Sequence, residues 1–248
     1  MEKRKPIRYT VLYLLLALIT AAAVILLSRL FSGFIKSKEA SLAVIPSPDR
    51  VTFVIDAGHG GEDGGASADD GTMEKSLNLE ISSALALIFE LNGNDVRMTR
   101  TEDTLLYDYY NELENYKGKK KIYDLKNRVR IAKEYSDPIF ISIHMNKFSD
   151  KRYSGLRVYY SKNNEKSYNF AASVQKNYAT YVKKDDKTAV YKADSSIYVL
   201  NNLDCPAMLV ECGFLSNDNE VEMLKSPEYR RSICLVIATG VLSGNIDN

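Results

Sequence analysis

The chain holds two histidines among 248 residues, no tryptophan and only three cysteines. Cys205, Cys212 and Cys234 are odd in number and lack the spacing of a metal site. They exclude a paired disulfide framework, so stability has to come from an apolar core. The HExxH pattern of helix-borne zinc sites is missing. So are the GxGxxG spacing and the GK[ST] ending that would turn the glycine-rich VIDAGHGGEDGGA at 54–66 into a phosphate cradle. No internal repeat or low-complexity tract is present. The net charge of +1 is misleading, because residues 1–38 contain seven basic side chains and one acid. The remainder carries 26 basic against 31 acidic groups, a net of −5. Nucleic-acid binding would need clustered positive charge, so no nucleic acid is expected as a partner. The KGKKK run at 117–121 reads as a solvated loop.

What is present begins with a membrane signal. Residues 9–28 run for twenty positions without a charge, which suffices for a helix across a bilayer core of about 30 Å. Lys3, Arg4, Lys5 and Arg8 precede it, an excess that keeps the N-terminus cytoplasmic and sends the remainder outside. A cleaved signal peptide is the competing reading, but AAAVILLSRL offers no persuasive small-x-small cleavage site. We read 1–8 as a basic cytoplasmic N-terminus, 9–31 as a transmembrane signal anchor, 32–50 as a linker and 51–245 as one folded domain. The linker's small, charged and proline-containing composition suits that role.

Within the domain, apolar runs alternate with helical periodicities. VTFVID at 51–56, IFISI at 139–143 and AMLVE at 207–211 read as buried strands, with DVRMTR at 95–100 and a more exposed GLRVYY at 155–160 beside them. Leu77, Ile81, Leu85 and Ile88 recur at helical spacing, and Gly93 supplies a stop. Helices are also expected over 125–135, 167–182 and from Pro227 onward, where proline suits a first turn. IYVL at 197–200 reads as a short extended piece. The fold class is therefore α/β: a twisted mixed, mostly parallel sheet covered by helices on both faces.

Functional groups in such sheets gather at the C-terminal ends of strands. Both histidines, His59 and His144, fall just at or past such ends, as does Glu211. Two imidazoles and a carboxylate can hold Zn²⁺ and leave a fourth position open, and a further free carboxylate can then move a proton. Against this, a histidine beside a strand is more often a hydrogen-bonded structural residue than a ligand. With 32 acids in the chain, chemistry alone does not separate Glu74 from Glu62, Asp63 or Glu80. Glu80 lies six residues after Glu74, about 240° around a helix, so the two should not serve one ion.

VIDAGHGG, GTMEKSLNLEI, ISIHMN and PAMLVECGFLSN occur in an order and spacing that together resemble the zinc-dependent N-acetylmuramoyl-L-alanine amidases of the Amidase_3 family. The resemblance covers 51–242. It implies one zinc ion held by His59, Glu74 and His144, with Glu211 as the catalytic acid/base. It implies hydrolysis of the amide joining muramic acid to L-alanine in peptidoglycan stem peptides. Asp56 is expected either to orient a ligand histidine or to cap the glycine turn. Asn146 is expected to contact substrate or brace its loop, and Arg128 to pack or form an ion pair. Cys212, alternating away from Glu211, reads as a core thiol with no histidine left to activate it.

Departures from the family pattern bear on substrate contacts more than on the metal. Ala57 stands where the family often has proline, HMNK puts Lys147 at the rim, and an arginine expected before IYVL has only Lys187 as its nearest match. The short layout is most similar to germination-specific members of spore-forming bacteria. That implies a membrane-anchored enzyme on the wall side or in the forespore intermembrane space, preparing cortex for muramic-δ-lactam formation beside a muramic acid deacetylase. A vegetative autolysin, a zinc peptidase cutting within the stem peptide and a non-catalytic wall-binding protein are the alternative readings.

Overall fold

The computed structural model describes Tyr13, Thr20 and residues 50–111, 118–184, 186 and 188–244. Apart from Tyr13 and Thr20, the expected anchor over 9–31 lies outside the described residues, as do nearly all of the linker and Lys187. Among the described residues no helix is long and apolar enough to cross a membrane. The chain divides between Pro48 and Asp49, and the second unit is the folded domain.

Six strands form one sheet: β1 (Thr52–Ala57), β2 (Asp95–Met98), β3 (Ile139–Asn146), β4 (Arg157–Tyr160), β5 (Tyr191–Lys192) and β6 (Ala207–Phe214). Their order is β2-β1-β3-β6-β4-β5. β1 runs parallel to β2 and β3, and β3 parallel to β6, while β4 is antiparallel to β6 and parallel to β5. The helices are α1 (Glu74–Leu91), α2 (Lys120–Lys133), α3 (Lys166–Tyr181), α4 (Tyr198–Asn201), α5 (Asp218–Lys225) and α6 (Pro227–Gly244).

The two-residue period of the strands sorts the core into two layers. Phe53, Ile55, Ile141 and Val210 point to the face covered by α1, α3, α5 and α6. Val54, Phe140 and Leu209 point to the other face, under α2 and α4. α1 buries Leu77, Ile81, Leu85 and Phe89, one residue per turn, and Phe89 stacks on Phe53 at 3.9 Å. Strands buried on both faces explain why β1, β3 and β6 read as unbroken apolar runs.

Local expectations change at two places, and two further elements were not expected. Residues 197–200 do not extend the chain; Tyr198–Asn201 closes a helical turn, held by Asn201 N–H on the Ile197 carbonyl and by the Asn202 side chain on that of Tyr198. A run of four residues is too short for periodicity to tell strand from helix. α2 begins at Lys120 rather than at Leu125, so the last residues of KGKKK are helical, and Lys120 Nζ pairs with Glu62 at 2.7 Å. β5 and α5 have no counterpart in the sequence reading.

The fold places a crevice where chemistry is expected. From β1 the chain goes to β2 on one side and then crosses to β3 on the other. The C-terminal ends of β1 and β3 therefore flank a topological switch point, where open α/β sheets bind ligands.

Candidate metal centre

His59 follows β1, His144 is the sixth residue of β3, and Glu74 opens α1. Three distant segments thus bring His59, Glu74 and His144 together, each offering a ligand atom within 4.8 Å of the others. Glu74 Oε1 lies 2.8 Å from His144 Nδ1 and 3.2 Å from His59 Nε2. The imidazoles meet edge to face, with centroids 5.0 Å apart. Glu74 Oε2 accepts the Ala66 N–H at 2.7 Å, and Met145 N–H reaches Oε1 at 3.1 Å. These bonds fix the carboxylate in place. Burial alone would raise Glu74, but hydrogen bonds from His144 and His59 overcome it and hold the carboxyl well below the usual range. Burial likewise works against charge on His59, yet the carboxylates of Glu74 and Asp63 leave its pKa raised.

Glu211 faces the same crevice, in register with His144 across the β3–β6 pair. Its Oε2 is buried without a hydrogen-bond partner. Burial is the main cause that pushes its pKa up to about 7. An ionisable group tuned to neutrality in a cleft suits proton transfer. His59, His144 and Glu211 line a cavity of about 270 Å³, walled by Lys121 and Leu125 of α2 on one side and Tyr198 of α4 on another.

The glycine-rich loop between β1 and α1 is shaped by close approach. A Cβ on Gly58 would stand 2.3 Å from His144 Cε1 and Nε2. One on Gly65, whose φ is +67°, would stand 2.5 Å from Glu74 Oε2 and 2.7 Å from His59 Cδ2. Gly58 is not in the left-handed region, so alanine there offends only the ring. Gly58→Ala should therefore displace His144 and bring zinc well below one ion per chain, with the far-ultraviolet circular dichroism of the wild type. Elemental analysis checks this; full occupancy would show that the ring has room to move.

Asp56 takes neither expected role. Its carboxylate accepts Thr99 Oγ1 and Ser142 Oγ, both at 2.7 Å, and Arg128 Nη1 at 2.6 Å, and contacts no imidazole. The strand pleat turns it toward α2, under the loop rather than into it. Arg128 is buried and donates also to the Ala57 and His59 carbonyls at 2.8 and 2.7 Å and to Asp124 at 2.7 Å. Arg100, just past β2, holds the Ala57 and Gly58 carbonyls at 2.9 and 3.0 Å. Two guanidiniums thus tie down the loop that carries His59, and neither Arg100 nor Asp124 had a sequence signal.

The carboxylate on His59 is Asp63, with Oδ2 at 2.9 Å from Nδ1. Asn146 braces its own loop, since its Oδ1 accepts the Lys147 N–H at 2.8 Å. Lys147 reaches the Ser67 carbonyl at 2.6 Å. Glu80 turns away to Arg230 at 2.7 Å. Cys212 is a buried free thiol that burial pushes further from ionisation.

Two nitrogens and one carboxylate in a closed group, beside a second carboxylate whose Oε2 has no hydrogen-bond partner, match the donor set of an open zinc site. Comparison with known proteins agrees. The family model Amidase_3, described as N-acetylmuramoyl-L-alanine amidase, matches residues 53–243. A germination-specific N-acetylmuramoyl-L-alanine amidase of Bacillus subtilis is 31% identical over 80% of this chain and 81% of its own length. The CwlD amidase of Clostridioides difficile, solved in complex with the GerS lipoprotein, superposes with a TM-score of 0.75 at 34% identity. That match covers 80% of this chain and all of the other. AmiC2 of Nostoc punctiforme, an N-acetylmuramoyl-L-alanine amidase, gives a TM-score of 0.66 at 30% identity over 78% of this chain and 96% of its own. The chain belongs to the Amidase_3 family of N-acetylmuramoyl-L-alanine amidases.

Proposed function

We propose that this protein is a zinc-dependent N-acetylmuramoyl-L-alanine amidase that frees stem peptides from peptidoglycan during spore-cortex maturation and germination. One observation carries the chemistry: His59 and His144, which both meet Glu74, line one cavity with Glu211, whose Oε2 has no hydrogen-bond partner. A zinc ion held by those three side chains would supply Lewis acidity, polarising the scissile carbonyl and acidifying water. Glu211 Oε2 takes a proton from the attacking water as its oxygen bonds to the carbonyl carbon. The same group then gives that proton to the leaving nitrogen as the C–N bond breaks, and the products are a lactyl carboxyl group and the free amine of L-alanine. The buried network of Arg128 and Arg100 keeps the His59 loop from moving during this exchange.

The germination-specific relative supports a role in the spore. In this reading residues 9–31 anchor the chain and place the domain outside the cytoplasm. Its product is the peptide-free muramic acid on which a deacetylase must act before a lactam ring can close. A lipoprotein partner of the kind solved with the C. difficile enzyme is a second candidate for association.

Product analysis tests the reading. Purified muropeptide should yield intact stem peptides beginning at L-alanine, and the cleavage should cease with chelator and return with zinc. Fragments cut within the peptide would favour the peptidase alternative. His144→Ala should lower bound zinc; unchanged stoichiometry by elemental analysis would remove His144 from the ligand set.

A further inference from the structure

The two imidazoles of the centre are held in different ways. His144 presents Nδ1 toward Glu74, while its Cε1 and Nε2 edge packs over Gly58 with no room for a Cβ between. Steric contact with the β1 loop and the register of β3 fix that ring. The His59 ring touches Gly65 through Cδ2, where a Cβ would stand 2.7 Å away, but no strand register holds it. His59 sits on the loop itself, with a φ of +61°, a region where a non-glycine residue carries local strain. Its ring direction needs an outside restraint.

We propose that Asp63 is the positioning residue that supplies that restraint: its carboxylate fixes the tautomer and the direction of His59 and so sets the affinity of the centre for zinc. The inference rests on the zinc reading above. Asp63 Oδ2 stands 2.9 Å from His59 Nδ1. A carboxylate only accepts, so Nδ1 keeps its hydrogen toward Asp63, and Nε2, once it gives up the hydrogen it turns to Glu74, is the nitrogen left to a metal. Nε2 is the atom turned toward Glu74, at 3.2 Å. The carboxylate is itself held. Its Oδ1 accepts the Gly65 N–H at 3.2 Å. Gly60 and Asp63 exchange backbone hydrogen bonds at 2.9 and 3.1 Å, closing a short turn around His59. Lys121 Nζ lies 3.6 Å from Oδ2. Restraint therefore runs from the turn to the carboxylate, then through the ring to the ligand nitrogen. A carboxylate behind a ligand imidazole orients the ring and raises its basicity, and losing one typically weakens metal binding about 10–100-fold.

The test uses the full chain, stripped of metal, with zinc affinity read by competition against a chromogenic chelator. Asp63→Ala should weaken zinc binding about 10–100-fold, and Asp63→Asn, whose amide oxygen still accepts the Nδ1 hydrogen, should fall between that variant and wild type. The melting temperature of the metal-free variants should match wild type, because the acceptor lost to the Gly65 N–H can be replaced by water. In a His59→Ala background, Asp63→Ala should cause no further loss of affinity, since its effect passes through that ring. Wild-type affinity in Asp63→Ala would overturn the proposal. So would an equal loss with and without His59, which would make Asp63 a scaffold of the turn. Failure of the wild type to bind zinc would instead overturn the zinc reading, so the two failures are distinguishable.

Discussion

Replacing Glu211 with glutamine should reduce muropeptide hydrolysis by about 10²–10⁴-fold, the usual worth of a positioned acid/base, and leave zinc at wild-type occupancy. Glutamine keeps the shape of the side chain and cannot carry the proton. Glu211 lies outside the group formed by His59, Glu74 and His144, so zinc uptake has no reason to change. Activity within tenfold of wild type would remove Glu211 from proton transfer.

The same substitution has a stability signature that can be read in metal-free protein. The Glu211 carboxyl titrates near 7 in the folded chain, against 4.5 for an ordinary glutamate, chiefly because of burial. Between those two values the folded state holds a proton that the unfolded state has released, so wild-type stability falls as pH rises through that window and is level above it. At pH 8 in chelator, Glu211→Gln should therefore be more stable than wild type by about 3 kcal/mol, with the gap closing toward pH 4.5. Urea titrations at several pH values measure this. A pH-independent difference would mean that the carboxylate is not strained in the metal-free fold. Retaining a destabilising acid at the cavity is the familiar trade of stability for activity.

The second large effect concerns Arg128, and it should appear in folding before it appears in catalysis. Arg128→Met should destabilise the domain by about 3–5 kcal/mol, because it leaves the buried carboxylates of Asp56 and Asp124 without their cation. Asp56 is 1% exposed and Arg128 2%, and burial would raise the aspartate were it not for the guanidinium that keeps it lowered. The His59 and Ala57 carbonyls lose donors at the same time. Adding Asp56→Asn to Arg128→Met should recover part of the loss, since a neutral amide can still serve Thr99 and Ser142 without stranding a charge. Denaturant midpoints report both. No recovery in the double variant would place the damage in the loop carbonyls or at Asp124 and not at Asp56.

Particular residues show where sequence reading succeeds and where it stops. The helical stripe of α1 and the unbroken apolar runs of β1, β3 and β6 are local consequences of one face or two faces being buried, so they are written in consecutive residues. Ile88, chosen by spacing, is only half-buried, and Phe89 takes the inner place beside Phe53. α5 had a usable signal. Asn217 caps it by accepting the Glu220 N–H at 3.2 Å, as the Asn-x-x-Glu spacing suggests. The Glu220 carboxylate does not complete that box; it bonds Gly155 and Phe214 N–H at 2.6 and 2.8 Å and ties β4 to β6.

By itself, the sequence determined the α/β class, the ends of strands where both histidines fall, and through four motifs the family. Those motifs also pointed to Glu74 and Glu211, but what each acid touches only the tertiary structure decided. Glu74, Glu62, Asp63 and Glu80 are equivalent as letters, yet they reach the two histidines, Lys120, one histidine ring and Arg230 respectively. Asp56 and Arg128 likewise lie 72 positions apart and meet only because α2 crosses the face of β1. Short-range patterning encodes burial, which each segment meets alone. A carboxylate's role depends on its partners, and those arrive from elsewhere in the chain only after the sheet has assembled.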